Sequence, residues 1–378
     1  MIHIENLTKH FKVKGGASVV AANNVNMEVG KGEVCVFLGP SGCGKTTTLK
    51  MVNKLISKTS GKIYIDGRDT DDINATELRR DIGYVIQQIG LFPNLTIEDN
   101  ICVVPDLLKI NRTQSRRKAS ELMDMVNLDP GLFLKRYPNE LSGGQQQRVG
   151  VIRALAADPP LMLMDEPFGA IDPINREVIQ DEFLKMNAEL GKTVLFVSHD
   201  IDEAIKMGDK IAIFKDGNLE QCDVPDEILS NPKNGFIKNF VGADRAIKRL
   251  TLIDVQEAIL PDAVKVKVED SLESAVSLMT KSQAQVAIVT GPKGRARAYV
   301  NKSSIKNNQG IVGEYQLNIP ATININDNLR DAVSLMYARG TDWLPVVDDD
   351  GIYLGYTTQA AIASLLGETP RKAKEQVM

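Results

Sequence analysis

The stretch Leu141-Ser-Gly-Gly-Gln-Gln-Gln-Arg148 stands between a glycine-rich loop, Gly39-Pro-Ser-Gly-Cys-Gly-Lys-Thr46, and the acidic pair Asp165-Glu166, and this order constrains the fold more than any other feature. Average residue usage yields Leu-Ser-Gly-Gly-Gln by chance in about one chain of this length in a few thousand. The glycine-rich loop follows the apolar run Val34-Cys-Val-Phe-Leu38 and opens a helical pattern through Asn53. Strand, glycine loop and helix in that order turn backbone N–H groups inward around a phosphate, and the helix N-terminus adds partial positive charge. Gly39, Pro40, Ser41, Gly42, Cys43 and Gly44 form the cradle, with Thr47 following it on the helix. Lys45 is placed to reach β- and γ-phosphates, and the Thr46 hydroxyl to sit on Mg²⁺.

Leu161-Met-Leu-Met164 is a second buried-strand run, and Asp165 and Glu166 lie at its carboxyl end, where ligands of open α/β sheets collect. Asp165 is expected to hold Mg²⁺ through water. Glu166 is expected to polarise the water that attacks the γ-phosphate. Val194-Leu-Phe-Val197 delivers Ser198 and His199 in the same way. A lone histidine after a strand is more often structural, but a third convergent strand end makes His199 a candidate γ-phosphate contact. Ser142, Gly143, Gly144 and Gln145 also have the opening of a phosphate-facing helix, yet they lie away from the strand ends. A symmetric head-to-tail pairing of two copies resolves this, with the Lys45 loop of one facing Ser142 and Gly144 of the other across ATP.

At 378 residues, with 43% apolar and 25% charged residues, the chain has room for two or three domains. A net charge of −4 gives no basic field, and no nucleic-acid partner is expected. The N-terminal residues lack a signal-peptide pattern and no long apolar run occurs, so a cytosolic location is expected. Cys35, Cys43, Cys102 and Cys222 form no Cys-x-x-Cys pair and read as reduced thiols. Cys43 reads as a small filler of the loop rather than a thiol activated by the helix N-terminus.

Residues 1–235 alternate apolar runs and amphipathic stretches, the pattern of a largely parallel α/β sheet. Lys62-Ile-Tyr-Ile-Asp-Gly67 and the Asp216-Gly217 turn look like antiparallel hairpin pieces, and residues 91–157 read as a helical insertion. A connector spans 236–250, and a polar tail spans 368–378. Between them lies an internal repeat, residues 251–308 and 309–367. Asp270-Ser-Leu-Glu-Ser-Ala-Val-Ser-Leu-Met279 recurs 57 residues later as Asp327-Asn-Leu-Arg-Asp-Ala-Val-Ser-Leu-Met336, identical at seven of ten positions. Each copy reads strand, helix, strand, turn, strand, helix. The matched turns carry opposite charge: Lys293, Arg295 and Arg297 against Asp348, Asp349 and Asp350. Two solvated hairpins are the first reading; an attraction between these turns across a dimer, weakened by salt, is the alternative.

Gly83-Tyr-Val-Ile-Gln-Gln-Ile-Gly-Leu-Phe-Pro93, Arg136-Tyr-Pro-Asn-Glu-Leu-Ser-Gly-Gly144 and Asp165-Glu-Pro-Phe-Gly-Ala-Ile-Asp172 extend the motifs into a family resemblance. Residues 1–235 resemble the nucleotide-binding subunits of ABC transporters throughout. With the repeat pair, the chain most resembles the ATP-binding subunits of bacterial osmoprotectant importers, which take up glycine betaine, carnitine and choline. The resemblance implies a P-loop ABC ATPase domain, with a parallel sheet core, antiparallel β subdomain and helical insertion, followed by an α+β tandem CBS module. It implies ATP and Mg²⁺ as cofactors, and a homodimer at the cytoplasmic face of the membrane. Two integral-membrane permease subunits and an extracytoplasmic substrate-binding protein complete the implied assembly. Gln87 would sense Mg²⁺ and couple to the membrane subunit, Asp172 would communicate across the dimer, and Phe11 would stack on adenine. Ile171 replaces the family's usual Leu at nearly constant volume.

Adenosine-binding CBS repeats end in an acid that holds the ribose, but this chain has Ser304 and Ala361 there. Ordinary AMP or ATP binding is therefore not expected; some osmoprotectant relatives bind cyclic di-AMP between CBS units and others respond to ionic strength, and cyclic di-AMP ranks first. Two alternatives stay open: an importer for another solute, or a soluble ABC ATPase of DNA repair or translation. The single ATPase half and the absence of sustained heptads weigh against the second.

Overall fold

The computed structural model describes residues 1–12, 18–86, 90–169, 171–260 and 264–367. Two compact units divide the chain, Met1–Val241 and Gly242–Met378.

Among its described residues the first unit has strands β1 (Ile2–Lys12), β2 (Ser18–Val29), β3 (Val34–Leu38), β4 (Ser60–Ile65), β5 (Arg68–Asp69) and β6 (Ile82–Val85). After a helical stretch come β7 (Leu161–Asp165), β8 (Thr193–Val197), β9 (Lys210–Lys215) and β10 (Asn218–Asp223). One sheet has the order β10-β9-β3-β8-β7-β6, parallel except at the β10 edge. Every residue of β3, β7 and β8 is buried, which explains their unbroken apolar runs: a parallel strand covered on both faces has no polar side. A second, antiparallel sheet has the order β2-β1-β4-β5. The hairpins read from the sequence are present. The β4–β5 turn places Asp66 and Gly67 at φ 49° and 75°, and the β9–β10 turn places Asp216 and Gly217 at 47° and 81°. Two successive positive φ values suit the twist of a two-residue hairpin.

One apolar core joins the two sheets, running from Ile4 and Val25 through Phe37 and Phe214, whose rings lie 5.1 Å apart. Between β6 and β7 the chain forms helices Ile97–Leu107, Arg112–Met125, Pro130–Phe133 and Gly143–Leu155. Arg112–Met125 buries Ser115, Ala119, Leu122 and Met123, a stripe at helical spacing. Its first turn is capped by Asn111, whose side-chain oxygen accepts the Thr113 N–H at 2.9 Å.

In the second unit, one copy of the repeat comprises strand Val264–Val266, helix Leu272–Lys281, strands Val286–Thr290 and Ala296–Asn301, and helix Lys302–Ile305. The other comprises Ile323–Asn324, Leu329–Arg339, Trp343–Val347, Tyr353–Thr358 and Gln359–Gly367. The copies exchange their leading segments. Asp254 bridges Asn328 while Ile311 bridges Ser271, and Leu260 bridges Tyr356 while Leu317 pairs with Tyr299. Leu250, Ile253, Val255 and Ala258 accordingly pack into the core of the second copy, and Val312 into that of the first. A division between residues 308 and 309 thus separates the copies along the chain but not in space. The connector is not featureless either: it holds helices Gly235–Val241, in the first unit, and Arg245–Arg249, in the second.

The charged turns meet within one chain, so an attraction between them does not require a dimer. Arg295 forms an antiparallel bridge to Ile352, and Arg295 Nε lies 4.0 Å from where a Cβ on Gly351 would sit. Asp348 also closes its own turn, accepting the Ile352 N–H at 2.8 Å, and Asp349 accepts from Asn324 Nδ2 at 2.8 Å. Asparagine at positions 348–350 preserves these bonds and removes the charge. The triple Asp→Asn chain is therefore expected to melt lower than the natural one at about 10 mM salt, with the difference vanishing near 1 M as the Debye length falls from about 30 Å to 3 Å. Equal melting at low salt would contradict the attraction.

Candidate active site

Beyond β3 the chain turns through Gly39, Gly42 and Gly44 at φ 145°, 77° and 104°. A Cβ on Gly39 would lie 2.2 Å from the Phe214 carbonyl oxygen, and one on Gly44 1.9 Å from that of Ala21. Conformation and space both demand glycine there. Gly44 caps helix Lys45–Val52. Lys45 is only 6% exposed, and its ammonium donates to the carbonyls of Gly39 and Pro40 at 2.6 and 2.9 Å. A phosphate in the loop offers this cation a charged acceptor, a stronger hydrogen bond than a neutral carbonyl makes. Pro40 and Ser41 lie exposed on the rim and Thr47 is half-buried. Cys43 is buried and burial raises its thiol pKa, with Lys45 opposing, so it fills space as a protonated thiol.

The Thr46 hydroxyl donates to Asp165 Oδ1 at 2.7 Å, and Lys50 Nζ lies 3.6 Å from Asp165 Oδ2. Asp165 is 3% exposed. A hydroxyl and a carboxylate side by side are hard oxygen donors that fit Mg²⁺. Among the described residues no group of three or more His, Cys, Asp or Glu could hold a metal unaided. Such a sparse set suits an ion whose remaining ligands are phosphate oxygens and water.

Glu166 leaves β7 with φ 46°, a left-handed conformation that is uncommon for residues other than glycine. Its N–H donates to the Val197 carbonyl at 3.1 Å, tying the acid to the end of β8. Its Oε2 lies 3.7 Å from His199 Nδ1, and the histidine ring is 63% exposed. Ser198, just before it, is buried; its N–H donates to Phe37 O at 3.0 Å and its hydroxyl donates to Glu203. The register β3–β8–β7 thus brings the Lys45–Thr46 loop, His199 and the Asp165–Glu166 pair to neighbouring strand ends.

Asp172 caps helix Pro173–Leu190, accepting the Asn175 N–H at 3.1 Å and its Nδ2 at 2.8 Å. Phe11, paired with Val19 in the antiparallel sheet, is 39% exposed and has the Lys9 ammonium 4.9 Å from its ring centre. Gln87 lies outside the described residues.

Ser142 opens helix Gly143–Leu155 with a reciprocal cap: the Gln145 N–H donates to Ser142 Oγ at 3.3 Å, and the Ser142 N–H to Gln145 Oε1 at 2.9 Å. The two glycines differ from those of the phosphate loop. Neither has positive φ; a Cβ on Gly143 would meet nothing within 4 Å, and one on Gly144 only Ile179 Cδ1 at 3.8 Å. Among the described residues no neighbour crowds either glycine, and Gly143 lies exposed at the helix end. Sequence reasoning missed Gln147, which is buried and donates to the Pro167 carbonyl, fastening this helix to the loop after Glu166. Its helical spacing from buried Val151 and Ala154 marked the inward face.

A phosphate loop, two acidic residues and a histidine at neighbouring strand ends, and an outward-facing capped helix define an ATPase of the ABC class. The ABC transporter family model matches residues 22–169, and the CBS domain model matches residues 312–368, the second copy of the repeat. The chain is 51% identical over 374 residues to the osmoprotectant import ATP-binding protein OsmV of Salmonella typhimurium, covering 98% of both chains. It is 44% identical over 370 residues to the glycine betaine/carnitine/choline transport ATP-binding protein OpuCA of Bacillus subtilis, covering 97% of this chain and 96% of that one. Among solved structures, the dimeric post-hydrolysis state of the ATP-binding cassette MJ0796 bound to ADP and Pi is 38% identical with a TM-score of 0.54, covering 60% of this chain and 99% of that one. The chain belongs to the ABC transporter family, among the ATP-binding subunits of osmoprotectant importers.

Proposed function

We propose that this chain is the ATP-hydrolysing subunit that energises ABC import of quaternary-amine osmoprotectants such as glycine betaine, carnitine or choline. It works as a head-to-tail homodimer, peripheral on the cytoplasmic face of the membrane. Two permease subunits carry the solute, delivered by an extracytoplasmic binding protein. The observation that carries this reading is the pair of half-sites: a strand-end cluster equipped for phosphoryl transfer, and a helix end whose two glycines no described residue crowds. The near full-length likeness to osmoprotectant import proteins supports the solute class. Among the described residues no helix is long and apolar enough to cross a membrane.

Lys45 and the loop N–H groups bind the phosphates, and the signature helix of a second copy, opening at Ser142 and Gly144, closes over the γ-phosphate. Thr46 and Asp165 would hold Mg²⁺, with Gln87 as a further ligand; bound there, the ion neutralises charge on the β- and γ-phosphates. Glu166 accepts hydrogen from the attacking water, and His199 contacts the γ-phosphate. Phe11 stacks on adenine. Asp172, beside the Ile171 carbonyl, carries the state of one site toward the other. In the CBS module, Ser304 and Ala361 provide no ribose-binding acid, which supports cyclic di-AMP as the regulatory ligand over AMP or ATP.

Uptake of labelled glycine betaine into vesicles holding the full transporter tests this reading. Uptake is expected to require ATP on this subunit's side, to stop in Lys45→Ala, and to change when cyclic di-AMP is added on that side. ATP-driven uptake of a different solute alone would overturn the solute class, and indifference to cyclic di-AMP would remove that ligand.

A further inference from the structure

We infer that Arg176 is a positioning residue for hydrolysis: its guanidinium joins the loop carrying Asp172 to the loop carrying His199, so that the two are held as one. The inference rests on the roles proposed above for Glu166 and His199 and adds a residue to them. Arg176 lies one turn into helix Pro173–Leu190. Its Nη2 donates to the Ile171 carbonyl at 2.9 Å, and its Nη1 lies 3.9 Å from Asp200 Oδ2. Ile171 immediately precedes Asp172, and Asp200 immediately follows His199.

The far side of His199 is anchored to the same neighbourhood. Asp200 Oδ1 caps helix Ile201–Met207 by accepting the N–H groups of Asp202 and Glu203 at 2.9 and 3.4 Å. The Glu203 carboxylate accepts the Ser198 hydroxyl and, at 2.9 Å, Gln180 Nε2. The Asp200 N–H closes the loop onto Ser198 Oγ at 3.0 Å. Burial raises the Glu203 pKa and the Asp200 charge adds to that, while Arg176 opposes them. Glu166, Gly169, Arg176, His199, Asp200 and Glu203 line one narrow cleft.

A half-exposed ion pair at this separation would contribute little by itself, and a helix-surface charge is the plainer role for an arginine. Here the guanidinium, 26% exposed, donates to a carbonyl on one loop and stands at ion-pair distance from the Asp200 carboxylate on the other. Removing it leaves the Ile171 carbonyl without that donor and takes away the positive charge beside Asp200. Both loops then lose their common fastening. Misplacing a reacting group by about 1 Å costs on the order of 100-fold in rate. Nucleotide binding through the Lys45 loop depends on a different strand and is expected to persist.

The test compares Arg176→Met, Arg176→Lys, Asp200→Asn and the Arg176→Met/Asp200→Asn double in the full-length chain, measuring kcat, KM for MgATP and Tm. Arg176→Met is expected to lower kcat by about 10- to 100-fold with KM within about twofold and Tm little changed. Lysine keeps the charge without the planar fork and is expected to recover part of the rate. Asp200→Asn retains the helix cap, since asparagine caps well, and is expected to lower kcat by itself yet add nothing to Arg176→Met. Wild-type kcat in Arg176→Met would overturn the inference, as would a rate loss that tracks a fall in Tm and is unrelieved by lysine. Failure of the underlying reading shows elsewhere, as normal turnover in Glu166→Gln.

Discussion

Glu166→Gln is expected to lower kcat for ATP by about 10²- to 10⁴-fold, the range that a positioned general base supplies. The change is nearly isosteric, and glutamine tolerates the φ of 46° no worse than glutamate does, so the backbone turn at the end of β7 should survive. The amide cannot take up hydrogen from water, and it weakens the interaction with His199, 3.7 Å away. The phosphate binding proposed for Lys45 and the ion binding proposed for Thr46 and Asp165 are expected to stay intact, because Lys45 contacts the loop carbonyls of Gly39 and Pro40 and Thr46 contacts Asp165, not Glu166. Chemistry therefore stops after ATP is bound, and an ATP-loaded dimer accumulates. Rapid-quench turnover together with size-exclusion chromatography in MgATP checks both halves. Natural-rate turnover in the variant would remove Glu166 from its assigned role.

Gly144→Asp is the second large effect, and it separates folding from function. Among the described residues a Cβ at this position meets only Ile179 Cδ1, at 3.8 Å, an ordinary van der Waals contact. An acid in the first turn of helix Gly143–Leu155 is even favourable to the helix, by about 0.3–1 kcal/mol. Thermal melting is thus expected to stay level or rise slightly. Hydrolysis, by contrast, is expected to fall at least 100-fold, because a carboxylate would stand where the helix end must approach the γ-phosphate of a second copy. Retained hydrolysis would show that this helix end never reaches nucleotide. A large fall in Tm would show that Gly144 serves the fold instead.

The parts legible in the sequence are those in which a local pattern determines geometry. An unbroken apolar run ending in Asp165-Glu166, or in Ser198-His199, reads as a buried parallel strand with its chemistry at the carboxyl end. The 57-residue offset foretold matched helices at Leu272 and Leu329. What stayed hidden depends on contacts between distant segments. No local rule signals that Glu166 adopts a left-handed backbone, that Gln147 holds Pro167, or that Ser198 hands its hydroxyl to Glu203. Leu250, Ile253 and Val255 announce burial by composition, but not that they are buried in the other copy of the repeat. The charged turns were legible as charges, but not that they meet within one chain. Only the structure shows that Arg295 and Ile352, 57 residues apart and so matched in the repeat, bridge each other.

A single mixing experiment bears most directly on the shared ATP site. Lys45→Ala and Gly144→Asp chains are each expected to be inactive alone, since each damages both sites of its own symmetric dimer. A mixed dimer places the intact Lys45 loop of one chain against the intact signature helix of the other, leaving one whole site. The account predicts that ATP hydrolysis reappears when the two inactive preparations are combined. A mixture as inactive as its components would contradict a site shared between two copies.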